Sequence, residues 1–284
     1  MMRSVLTILL LLSLPAPSSA FQNFQAIPGG IVGIELDEED GASVSATFGS
    51  TRIPVISVDK KWLALVPLNF DIVPGFYIVA TLNDEKDYKS YTFKIKPGNR
   101  PLYQVTLPEE QNTVGDTDTS FESEVSEVDG EVSNPDLDLV LPVDAPVFRQ
   151  FGQIFISNTS TLLPFNGIRF DISRDNTPVV SPVFGQVKDI QSMNNGKWRV
   201  IIDHGNGMVS IFHDLTSLSI NHEEWLTKGA EIGKLAINDA VEIMPHWSLQ
   251  MNQAWIDPMI LVSSEVTLPS IPTTAADATV PAEE

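Results

Sequence analysis

Five side chains in the second half of this chain stand out as candidates to bind a metal ion or move protons: Asp171, His204, His213, Asp214 and His246. Imidazole nitrogens and carboxylate oxygens are common zinc donors. A catalytic zinc needs three such donors and an open position for water, whose pKa the ion lowers towards neutrality. Cysteine is absent, which excludes a thiol nucleophile, a disulfide and cysteine-linked lipid. The remaining histidine, His222, lies in a polar loop sequence and reads as solvated. Ser248 follows His246 by two residues, so on a strand both would face one side, yet a neutral hydroxyl is not a usual zinc donor.

The elements that must position these groups centre on Val200 to Phe212. Two apolar, β-branched runs flank Asp203-His204-Gly205-Asn206-Gly207, whose glycines supply the positive φ angles of a tight reversal, so the stretch predicts a hairpin. Around it, in order, stand Gly167-Ile168-Arg169-Phe170, Thr177-Pro178-Val179, Gly185, Lys228-Gly229, Ile232-Gly233 and His246-Trp247-Ser248. In order and spacing these motifs resemble the lysostaphin/LytM-type zinc metallopeptidase domain, whose members cut peptide cross-links in bacterial cell walls. The resemblance implies a LytM-type (duplicated hybrid motif) β domain, with Leu141-Pro142-Val143 and Phe151-Gly152 in its first strand region.

The same resemblance implies where the metal ligands would stand. Family members carry a His-x-Gly-x-Asp motif; aligning on Gly167 places Phe165 at the His and Arg169 at the Asp. A register shifted to bring Asp171 onto the Asp puts Gly167 on the His. The family's Tyr-x-His-Leu becomes Phe212-His213-Asp214-Leu215, so Asp214 takes the position of a catalytic His. His213 stands one residue early, which on a regular strand turns it to the opposite face, as a surface or supporting residue. The closing His-x-His becomes His246-Trp247-Ser248, keeping His246 as a relict of the catalytic pair and placing Ser248 at a zinc position. Phe165, Arg169 and Ser248 therefore replace all three ligands: Phe donates nothing, and a permanently charged Arg repels a cation. The domain resembles the degenerate, zinc-free LytM activators of cell-wall amidases. By family position Arg169 and Asp214 should face each other and form a buried ion pair, with Asp171 a candidate third member.

The rest of the sequence sets the context. Net charge is −20, from 37 acidic and 17 basic residues, which argues against nucleic acid or an anionic membrane as partner. Residues 1–20 read as a signal peptide: Arg3, an apolar run from Val5 to Leu14 too short to span a bilayer, and Ser18-Ser19-Ala20 before the cut. An exported, periplasmic protein with no stable membrane anchor after cleavage is expected. From 25 to 107 short alternating runs separated by Gly, Pro, Asn and Asp predict a small β-sandwich; Trp62, Phe70 and Tyr77 read as core more readily than as a ligand platform. Residues 108–140 hold many carboxylates and no Lys or Arg up to Asp138, the composition of an extended, disordered linker, and 265–284 reads as a disordered acidic tail. The degenerate domain then spans 141–264, and the whole chain is expected to be all-β.

Three functions follow. The first is a non-catalytic protein of cell-wall remodelling that binds or regulates a murein hydrolase such as an amidase, with no cofactor. The second is a zinc endopeptidase using a rearranged set from Asp171, His204, His213, Asp214 and His246. The third is a module that only binds peptidoglycan.

Overall fold

The computed structural model describes residues 25–36, 45–58, 61–82, 88–98, 102–104, 136–156, 162–193, 196–237 and 245–262. The expected signal peptide (1–20), most of the expected linker (108–140) and the expected tail (265–284) lie outside these residues.

Seven strands form the first unit: β1 (Ile31–Leu36), β2 (Ser45–Phe48), β3 (Thr51–Ile53), β4 (Val55–Val58), β5 (Lys61–Pro67), β6 (Gly75–Leu82) and β7 (Tyr88–Ile95). They build two antiparallel sheets, ordered β1-β5-β4 and β3-β2-β6-β7. The inward positions of the alternating runs meet in one core of Leu36, Ala46, Ile53, Ala64, Val66, Leu68, Val79 and Ile95, which makes the unit a β-sandwich. Trp62 and Tyr77 pack on this core, whereas Phe70 lines a cavity beside the second unit.

A short strand, β8 (Leu102–Gln104), leaves the sandwich and pairs in parallel with β10 (Ile154–Ile156) of the second unit, next to β11 (Leu162–Pro164). The second unit also contains β9 (Val147–Arg149) paired with β12 (Arg169–Phe170). A further sheet joins β13 (Thr177–Val180) to β19 (Glu231–Leu235) and β17 (Ser217–Leu218). Its main sheet has six strands, ordered β18 (Trp225–Leu226), β14 (Gly185–Ser192), β15 (Trp198–Gly205), β16 (Met208–Leu215), β20 (Trp247–Met251) and β21 (Ala254–Ile256). The only helix among the described residues is a 3-10 turn at Pro258–Ile260.

The predicted hairpin is β15–β16. Gly205, Asn206 and Gly207 turn through φ values of 82°, 50° and 74°, a run that glycine and asparagine tolerate where β-branched residues would not. Ile201, Val209 and Ile211 cluster on one face of the sheet with Trp255. Val200, Ile202, Phe212, Trp247 and Leu249 face the other side, into the large core. That core also takes Ile31, Ile56 and Leu65 from the sandwich, so apolar burial is continuous between the two units.

Candidate site at the metal-ligand positions of the second domain

The site forms where the segment before β12 crosses the start of β20. Ile168 N donates to Trp247 O (2.8 Å), and His246 N donates to Ile168 O (2.9 Å). Only glycine fits at 167, because a Cβ there would lie 2.4 Å from Trp247 O and 2.5 Å from Ser248 Oγ. This crossing brings Arg169 and Phe170 beside His246 and Ser248. Phe170 N donates to His246 Nδ1 (3.2 Å), and the two rings stack 6.3 Å apart with 10° between their planes. Since Nδ1 accepts, the neutral ring carries its proton on Nε2. Phe165, at the first ligand position, is a fully buried phenyl ring, fixed by backbone bonds to Gly152 and Gln153.

Arg169 and Asp214 face each other as expected. Arg169 Nη1 lies 3.2 Å from Asp214 Oδ2, with the side chains only 8% and 12% exposed. The third member is Lys197, whose Nζ is 3.6 Å from Asp214 Oδ1; Asp171 is exposed. Arg149 stands opposite Arg169 in the β9–β12 register, and burial together with the Arg169 charge lowers its pKa. Arg199 is buried and donates from Nη1 to Gln191 Oε1 (2.9 Å).

His213 corrects the face argument. Trp198 pairs with Leu215 and Val200 with Phe212, so His213 and Asp214 together oppose the single residue Arg199. Asp214 has φ +65°, the left-handed conformation that accommodates the extra residue in this β-bulge. A bulge cancels strict alternation: His213 keeps the face of Ile211, Ser248 and His246, while Asp214 still reaches Arg169. His213 is buried, not at the surface, and burial with the nearby Arg199 charge pushes its pKa down to about 3. It is neutral at any physiological pH.

His204 lies on the other face and serves the scaffold. Its Nδ1 is 2.9 Å from Phe184 O, which can only accept, so Nδ1 carries the proton. Nε2 then accepts from the Ser210 hydroxyl (2.8 Å), and Ser210 Oγ accepts from Trp247 Nε1 (3.0 Å). Burial lowers the His204 pKa to about 4. The structure thus brings together Arg169, His213, Asp214, His246 and Ser248, and separates His204, Asp171 and the exposed His222 from them.

Zinc does not fit these side chains. The ligand positions offer a phenyl ring, a guanidinium and a hydroxyl, and Lys197 adds a second cation beside Asp214. Among the described residues no three His, Cys, Asp or Glu side chains are grouped to hold a metal ion. Sequence reasoning missed Lys197, Arg199 and Arg149; the signal was a lone Arg at 199 inside an apolar strand, where a buried charge demands partners.

Comparison with known proteins finds similarity over this region. Residues 164–258 match the model of peptidase family M23, a span that includes every position of the site from Phe165 to Ser248. A search of curated proteins finds no match. Among solved structures, a Pseudomonas aeruginosa protein solved as a candidate M23 peptidase aligns over 86% of this chain and 99% of its own, with TM-score 0.65 and 23% identity. That likeness shows the shared fold. A zinc-containing peptidase from Vibrio cholerae covers 68% of this chain and 47% of its own at 14% identity, TM-score 0.39. Lysostaphin covers 49% and 60% at 15% identity, TM-score 0.36.

Proposed function

We propose that this chain is a non-catalytic, exported member of the LytM type that acts in cell-wall remodelling by binding or regulating a murein hydrolase such as an amidase. The observation that carries the reading is the ion pair between Arg169 and Asp214, standing at two positions where the family has a metal ligand and a catalytic His. A guanidinium held 3.2 Å from a carboxylate cross-links the first motif to the hairpin without a metal. A water-activating zinc needs three protein donors, and a phenyl ring, a guanidinium and a hydroxyl at the aligned positions do not supply them. What such a domain keeps is shape, a platform on which a partner protein can dock.

Two measurements test this. Purified protein should contain no stoichiometric zinc by elemental analysis and should leave cross-linked muropeptides intact. Stoichiometric zinc that disappears in His246→Ala and His213→Ala, with activity lost alongside, would establish the rearranged peptidase instead. Capture of periplasmic amidases by the immobilised chain, with stimulation of their activity, is the expected positive result; retention of peptidoglycan alone would mark a wall-binding module.

A further inference from the structure

The two units enclose a cavity of about 120 Å³ between them. Gln25, Ile27 and Phe70 line it from the sandwich, and Phe151, Ile260 and Asp257 from the second unit. Asp257 is the one charged side chain among the described residues of this lining. Its backbone N donates to Gly29 O (2.8 Å), which ties it to the sandwich. One carboxylate oxygen, Oδ1, accepts from Met259 N (3.0 Å) and so caps the 3-10 turn that begins at Pro258. Asparagine caps as well as aspartate, so the cap does not explain the negative charge.

An ionised carboxylate among phenyl and aliphatic side chains is costly unless a cation answers it. Burial raises the Asp257 pKa to about 6, so at neutral pH the group is nonetheless charged. Phenyl rings favour cations electrostatically, and two of them stand in the same wall. The volume sets the size: a cavity of ~150 Å³ admits benzene, so this one suits an alkyl chain of about four carbons with a small polar head.

We propose that the interdomain cavity is a binding site for a primary alkylammonium group, paired with Asp257 and flanked by Phe70 and Phe151. The group could be a free amine or the end of a lysine-like side chain on a peptide, since both present the same head and stem. Bound there, it would contact both units at once and hold them together.

The test is thermal unfolding and calorimetric titration of the full chain at pH 7.5 with n-butylammonium, n-butanol and N-acetyl-lysine amide. Butylammonium should raise the Tm saturably, with a Kd of the order of 1 mM for so small a ligand, while its neutral isostere butanol should not. Asp257→Asn, which keeps the cap and removes the buried charge, should weaken butylammonium binding by about tenfold or more, with the ligand-free Tm at pH 7.5 raised and not lowered. Binding of N-acetyl-lysine amide as well would identify side chains as the source, and binding of butylammonium alone would identify free amines. Equal responses to butylammonium and butanol in the natural chain, or no response to either, would overturn the proposal without recourse to a variant. So would a folded Asp257→Asn that titrates like the natural chain.

Discussion

At the scale of single residues, Asp214 carries two loads. It accepts from Arg169 and pairs ionically with Lys197, and it occupies a left-handed backbone conformation that asparagine and aspartate tolerate better than most residues. The two loads can be separated. Asp214→Ala removes the carboxylate and puts alanine in the strained conformation, leaving a buried guanidinium short of a partner, and should cost about 3 kcal/mol or more. Asp214→Asn keeps a side chain suited to φ +65° and removes only the charge, so it should cost less. Urea denaturation of both variants measures the difference, and two mutants as stable as the natural chain would show that the pair does not hold the motif to the hairpin. The pair was legible in the sequence because family spacing set Arg169 and Asp214 at facing positions. Lys197 was not, since it reaches Asp214 only through the register of β15 against β16, which composition does not encode.

At the scale of elements, the hairpin was readable and its irregularity was not. Alternation of apolar residues and the Gly-Asn-Gly turn mark β15 and β16, but a bulge adds one residue with no compositional trace, so the face of His213 was misjudged. The other face of the same strands holds a tie that crosses three of them. His204 on β15, Ser210 on β16 and Trp247 on β20 form a buried chain in which each donor meets an acceptor. Ser210→Ala deletes the central hydroxyl and leaves both the His204 Nε2 acceptor and the Trp247 indole N–H buried without it. The expected cost is about 2 kcal/mol, well beyond that of an exposed Ser→Ala change, and it should appear as a lower denaturation midpoint with an unchanged slope. His204 in the turn is thus held by scaffold hydrogen bonds to Phe184 and Ser210.

At the scale of the whole molecule, the sequence separated two units, and the coordinates show how they are joined. The acidic composition between Pro108 and Val140 still predicts that protease cuts there first. A linker joining two independent units would let the cut release separate pieces, but β8 pairs with β10, Asn252 Nδ2 donates to Arg52 O, and Ile31, Ile56 and Leu65 enter the larger core. The nicked fragments should therefore co-elute in gel filtration and separate only in denaturant. Such contacts were hidden from sequence reasoning because each partner, taken alone, reads as an ordinary strand or loop residue.

Buried titratable groups make stability depend on pH in two opposing ways. His204 and His213 have folded pKa values of about 4 and 3, below the ordinary 6.5, so the unfolded chain binds their protons first as pH falls. Their contribution is complete above about 6.5 and is lost progressively towards pH 4 and below. Asp257, raised from 3.8 to about 6, does the reverse: the native state binds its proton first, adding stability as pH falls from 6 to 3.8. Asp203, also raised by burial, acts in the same sense as Asp257. Between pH 6.5 and 6 the histidines act alone and stability should begin to fall; below 6, Asp257 offsets one of the two protons. Asp257→Asn removes that offset, so between pH 6 and 4 its stability should fall more steeply than that of the natural chain, by about 1.4 kcal/mol per pH unit for the one proton concerned. Urea midpoints at half-unit pH steps would show it, and parallel curves for the two proteins would mean that Asp257 titrates in the folded state as it does in the unfolded chain.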